Sequence, residues 1–286
     1  MKKSTAGCGL SFALILICCT GVLSAPAQTG TAGAPAGTSP ATAVTPAAVA
    51  PSPVAPGAGA ENPALTRGLA ELKAEQPRRA LIDFQQILQT DPNNIAANLL
   101  ASTAAVELFQ GQLAVQYAQK AQQLDPRNWK IHTTLVAAYS AAGMKEQRDL
   151  ERAQLEQLHK TGAPDARQAT GFLVEMFPVE SYRVDAVEYF EPVGKFHTYY
   201  RFLVRQADGH RVWEIDVESD DFDQKSWAEA HAAEAASGAR QFQISGHGEN
   251  GQDLEYRNFS GKPDYDNIRV MVVEILRSRG IPGAQG

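Results

Sequence analysis

The chain has 286 residues, with 26 Lys and Arg against 32 Asp and Glu, a formal net charge of −6. Length alone allows about two domains. Three cysteines exclude a disulfide-dense scaffold, and the acidic balance excludes a basic nucleic-acid-binding protein. These totals average three unlike regions. No acidic residue precedes Glu61, and all three cysteines (Cys8, Cys18 and Cys19) lie within the first twenty positions.

Lys2 and Lys3 open the chain with positive charge, and Leu10 to Leu23 is apolar and uncharged. Ala25-Pro26-Ala27 then offers an A-x-A cleavage site. Residues 1–27 thus predict a secretory signal peptide. A membrane-spanning helix needs about 20 apolar residues, and this run has 14. An uncleaved N-terminal anchor is the alternative. A lipoprotein signal does not fit, because Ile17 and Cys18 stand where a small residue is needed before the cysteine. Cleavage leaves no cysteine, which suits an oxidising exterior. It also leaves 24 basic against 32 acidic residues, a net charge of −8. The expected address is periplasmic or secreted, with no integral span after cleavage and no nucleic-acid partner.

Residues 28–60 hold 11 Ala, 6 Pro, 5 Gly and 5 Thr, and none is charged or aromatic. Such a segment cannot bury enough apolar surface to offset its chain entropy, so a disordered linker is expected. A tether, a glycosylated stalk and a plain spacer all fit this composition.

From Glu61 onward charges appear, and Leu, Ala and Gln recur at helical spacing. Asp91-Pro92-Asn93-Asn94 is echoed 34 residues later by Asp125-Pro126-Arg127-Asn128, and Ala80 by Ala114. Gly68, Ala80, Phe84 and Asp91-Pro92 mark the first copy. Ala114, Ala118, Ala121 and Pro126 mark the second, with Ser102 in place of the small Gly and Gly111 late in the turn. Leu135, Tyr139 and Gly143 mark the third, where Arg148 and Arg152 replace small or aromatic residues. Residues 61–160 resemble the tetratricopeptide repeat family. The prolines stop one helix and start the next, because proline lacks an N–H and suits the first turn. About three such units are needed to bury a common core. The polar helix from Lys145 to Lys160 reads as a terminal cap facing water.

The resemblance implies an inner face formed by the first helix of each pair. It maps to Leu65, Leu69, Leu72, Lys73, Leu99, Thr103, Val106, Glu107, Lys130, Thr133, Ala137 and Ser140. Some members of that family grip a carboxylate with a basic clamp; of the clamp positions only Lys130 is basic here, and Leu65 and Leu69 occupy two others. An apolar groove for a helix or an extended segment of another protein is expected instead. Packing of Leu65 and Leu69 against the C-terminal region is the alternative.

Residues 161–169 read as a connector, and 16 of the 22 aromatics follow it. A strand is predicted from Arg183 to Phe190. Phe196, Thr198, Tyr200, Phe202 and Val204 predict one face of a second strand. Asp208-Gly209 predicts a hairpin turn, with Trp213, Ile215 and Val217 on the return strand. An Ala-rich helix is expected from Asp221 to Ser237. A second hairpin is expected over Gln241–Ser245 and Asp253–Phe259, turning at Asn250-Gly251. A last helix is expected from Asp264 to Arg279, with Ile268, Met271, Val272, Ile275 and Leu276 as its apolar stripe. The expected order β-β-β-α-β-β-α gives residues 170–280 an antiparallel sheet with two helices on one face. The fold class is therefore a helical-repeat stack followed by an α+β domain.

Few residues carry catalytic patterns. His231 and Glu234 supply at most two metal ligands on one helix face. Glu218, Asp220, Asp221 and Asp223 lack the central Gly and distal Glu of a calcium loop; acids at a helix start suit the helix dipole. Ser245-Gly246-His247-Gly248 lies in a hairpin, not in the strand–turn–helix setting of a nucleophile elbow. No cofactor motif is present, so no cofactor and no metal are expected. The sequence reading is a non-enzymatic exported adaptor that binds a protein or peptide segment, plausibly in cell-envelope assembly. The other reading is an enzyme or small-ligand binder with its site on the face of His197, Tyr199 and Arg201.

Overall fold

The computed structural model describes residues 62–219, 221–249, 251, 253–261 and 264–279. The signal peptide, the linker, Asp220, Asn250, Gly280 and Pro282 lie outside them. From Asn62 on, six helices form three hairpins. These are α1 (Pro63–Lys73) with α2 (Pro77–Thr90), α3 (Ile95–Glu107) with α4 (Gly111–Leu124), and α5 (Trp129–Ala141) with α6 (Lys145–Thr161). Local chemistry repeats with the sequence. Asn62, Asn94 and Asn128 each cap a first helix, accepting from Ala64 N at 3.1 Å, Ala97 N at 2.9 Å and Lys130 N at 3.2 Å. Their side-chain oxygens satisfy backbone donors that the first helical turn leaves free.

Each hairpin turns on one residue in the left-handed region: Glu75 (φ 55°), Phe109 (φ 56°) and Gly143 (φ 71°). They stand 34 positions apart. The second turn therefore rests on Phe109, and Gly111 has a different task. A Cβ on Gly111 would collide with the Ala141 carbonyl, so glycine lets α4 approach the end of α5. Gly68 does the same inside the first hairpin, where a Cβ would stand 2.5 Å from Phe84 Cε1. Ser102 replaces it in the second hairpin and donates to the Ala114 carbonyl at 2.8 Å.

A short helix, α7 (Pro164–Arg167), leads into a six-stranded antiparallel meander in the order β1-β2-β3-β4-β5-β6. The strands are β1 (Gly171–Val179), β2 (Tyr182–Val193), β3 (Thr198–Arg205), β4 (Arg211–Glu218), β5 (Arg240–Gly248) and β6 (Asp253–Gly261). Helices α8 (Asp221–Ala230) and α9 (Ala232–Ala236) join β4 to β5, and α10 (Tyr265–Arg279) ends the fold. The sequence reading missed β1. Its apolar residues run almost without alternation, because a bulge between Leu173 and Glu175 breaks the period of two. The helix expected from Asp221 to Ser237 is also broken, at His231. Phe196 is 50% exposed and precedes β3, so it leaves the apolar face assigned to it.

One face of the sheet is apolar. Phe172, Val184, Ala186, Tyr200, Phe202, Val204, Trp213, Ile215, Val217 and Ile244 pack there with Ile268, Val272, Ile275 and Leu276 of α10. Leu155 of α6 and Val136 of α5 enter the same cluster. On the other face Leu173 and Met176 of β1 join Val106, Leu135, Ala137 and Ala138 of the hairpins. The helical part and the sheet thus share two cores, and the helical hairpins meet both faces of β1.

Helix α6 faces water along Glu146, Gln147 and Asp149, as expected of a cap, but its other side is covered. Arg148 is 3% exposed. It donates to both carboxylate oxygens of Asp266 on α10, at 2.9 and 3.3 Å. Arg152 donates to both oxygens of Glu188 on β2, at 2.8 and 2.7 Å, and to the Tyr200 hydroxyl at 3.2 Å. The hydrogen bond from Arg148 holds Asp266 down at about 2, with Lys145 helping and burial opposing. An unfolded Asp titrates near about 3.9, so this contact contributes fully above that pH and is lost as pH falls through about 2. Asp266→Asn should therefore lower stability at pH 7 by ~2 kcal/mol, with the deficit vanishing towards pH 2. Urea unfolding across that range checks it.

Candidate binding surface

The inner-face residues occupy three kinds of place. Leu72, Val106 and Ala137 are buried, at 0, 2 and 4% exposure. They hold helices together and are closed to a partner. Leu99, Thr103, Lys130 and Thr133 are half-buried. Leu99 packs on the cluster that contains Met176. Thr103 Oγ1 donates to the Leu99 carbonyl at 3.2 Å, and Thr133 Oγ1 to the Lys130 carbonyl at 2.7 Å. Leu65 and Leu69 are half-exposed on α1, and Lys73 beside them is exposed.

The expected groove is therefore shorter than the inner face. Along α5 that face already holds apolar residues of β1. Leu173 and Met176 of β1 pack with Leu99, Val106, Leu135 and Ala137. A bulge aims these two side chains away from the main sheet core, and the sequence reading did not find the strand that carries them. Leu65, Leu69, Leu99, Thr103, Lys130 and Thr133 all keep part of their surface, and Lys73 on α1 is exposed.

The alternative ligand face is closed in another way. His197 lies just before β3 with φ 52°. Tyr199 packs edge-on to Phe242, with ring centroids 5.9 Å apart, and its hydroxyl accepts from Arg240 at 3.0 Å. Arg201 donates to both oxygens of Asp216 at 2.7 Å and lies 3.1 Å from Glu214. Burial opposes its charge, but the Asp216 hydrogen bonds and the surrounding carboxylates outweigh that and raise its pKa. Its charge is thus matched on both sides. A cleft of about 390 Å³ lies between the β1–β2 and β3–β4 loops, lined by Ser181, Tyr182, Gln206, Ala207 and Asp208. None of the three ligand-face residues lines it.

Ser245 is 2% exposed and donates to Glu218 Oε2 at 3.3 Å, while His247 Nδ1 pairs with Asp253 at 2.9 Å. Their side chains thus serve separate partners. Among the described residues no group of three or more His, Cys, Asp or Glu could hold a metal ion, and no helix is long and apolar enough to cross a membrane.

Two clusters escaped the sequence reading. One is the Arg148–Asp266 and Arg152–Glu188 pairing. Its signal was visible as two arginines where small or aromatic residues were expected. The other is a charged knot where α3 meets β2. Arg183 donates to Glu75 at 2.9 Å and lies 3.0 Å from Asp185, Arg205 donates to Asp185 at 2.7 Å, and Glu107 stands beside them. No spacing in the sequence links residues so far apart.

No family model matches this chain, and no curated protein matches it. Met176→Asp tests the shared core directly. A charge at this 8% exposed position should cost more than about 3 kcal/mol. Helical and aromatic signals should still melt together, as measured by far-UV and near-UV circular dichroism.

Proposed function

We propose that this chain is an exported tetratricopeptide-repeat adaptor that binds a segment of another protein, in the service of cell-envelope assembly. The observation that carries the reading is the inner face of α1, where Leu65 and Leu69 are half-buried beside the exposed Lys73, while the α5 part of that face packs on Leu173 and Met176. The 34-residue recurrence of left-handed turns, with an asparagine cap on each first helix, supports the repeat assignment. The apolar start after Lys2 and Lys3 supports export. Apolar side chains rimmed by charge suit an amphipathic helix or an extended apolar segment. The ligand-face reading has no comparable support, because Arg201 is already matched by Asp216 and Glu214.

The test is chemical crosslinking of the exported protein followed by recovery of its partner. Leu65→Asp combined with Leu69→Asp should reduce recovery at least ~10-fold, equivalent to about 1.4 kcal/mol of binding. The melting temperature should change little, since both side chains are partly in water. Undiminished recovery with the double variant would sink the groove.

A further inference from the structure

Glu107 closes α3 where the second hairpin meets β2. It is 7% exposed, and neither carboxyl oxygen has a hydrogen-bond partner among the described residues. Buried polar atoms without partners are rare in folded proteins and call for an explanation. Its neighbours on β2 differ: Arg183 Nε and Asp185 Oδ1 are also buried, but they lie 3.0 Å apart as an ion pair.

The charges around it can be counted. Arg183 and Asp185 of β2 and Glu75 of the α1–α2 turn act on Glu107 directly. Arg205 of β3 stands behind Asp185 and donates to it at 2.7 Å. Two guanidinium groups thus meet two carboxylates, Glu75 and Asp185. The neighbouring helices α4 and α5 bring the apolar Ala114, Ala118, Leu135 and Ala138 to the cluster that holds Val106, next to Glu107. A neutral Glu107 leaves the knot balanced. An ionised Glu107 adds one buried negative charge that no hydrogen bond compensates, an arrangement that costs free energy in a dry site.

We propose that the carboxyl group of Glu107 is a proton-operated latch between the second helical hairpin and the sheet. Protonated, it lets the joint close; ionised, it loosens the joint. The electrostatics agree with the geometry. Burial pushes Glu107 up to about 8; Arg183 opposes this, and Glu75 and Asp185 add to it. In an opened joint the same carboxyl sits in water and titrates near about 4.3. Between those two values the closed joint holds one more proton than the open one. Opening therefore grows as pH rises from about 5 to about 8, by up to about tenfold per pH unit, and levels off above. Acid tightens the joint.

Hydrogen exchange of the full chain reads this opening at the side-chain Nε–H of Arg183, which the closed joint buries. Exchange is measured between pH 5 and 9 and corrected for its intrinsic pH dependence. The comparison is with Glu107→Gln, which keeps the shape and removes the titration. The ratio of wild-type to variant opening should rise by up to about tenfold per pH unit and flatten near pH 8. A ratio that stays flat or falls overturns the latch. Should the variant not fold, the carboxyl carbon resonance of Glu107 in the ¹³C-labelled wild-type chain decides. Titration near pH 8 supports the latch, and titration with exposed glutamates near about 4.3 overturns it.

Discussion

The fold depends on how the third helical hairpin grips strand β1. Leu173 and Met176 leave one face of the strand and enter the helical core. Val136 and Leu155 leave the helices and enter the sheet core on the other face. The hairpin thus straddles the strand at the edge of the sheet. Each apolar side chain transferred in this way contributes about 1.5–3 kcal/mol of burial. Neither part keeps a complete core without the other.

That grip also decides what the helical surface can do. An inner face made of three first helices would offer a long apolar groove, but its α5 part meets β1. The α1 end remains, and it is where binding is proposed. Polar groups fix the same joint from both sides. Arg148 and Arg152 tie α6 to α10 and β2, while Arg183 ties β2 to the first hairpin turn through Glu75. Buried ion pairs of this kind set geometry more than stability, because desolvation offsets much of their attraction. Glu107 is the member of the joint that lacks a partner, which makes the joint sensitive to proton concentration.

Much of the local structure was legible in advance. The Asp-Pro echoes located the helix pairs, though each next helix starts on the asparagine two residues after the proline rather than on the proline itself. Asp208-Gly209 turned a hairpin as expected, and Ile268, Val272, Ile275 and Leu276 form the buried stripe of α10. The failures share a cause. The bulge in β1 erased the alternation that marks a strand. Phe109, a bulky residue, took the left-handed place where glycine was expected, so Gly111 was read as a turn. Arg148 and Arg152 looked like solvated charges because their partners, Asp266 and Glu188, lie far along the chain.

The sequence by itself determined the period, the caps, the turns, the sheet's apolar face and the likeness of the first hundred folded residues to a helical repeat. These follow from spacing and residue type, which act over a few positions. The tertiary structure alone decided which surfaces stay open. Burial of Leu173 and Met176, the pairing of Arg201 with Asp216, and the isolation of Glu107 all depend on groups brought together from distant positions. Local chemistry shapes each element. Exposure and charge balance, which determine what a surface can bind, are properties of elements packed together.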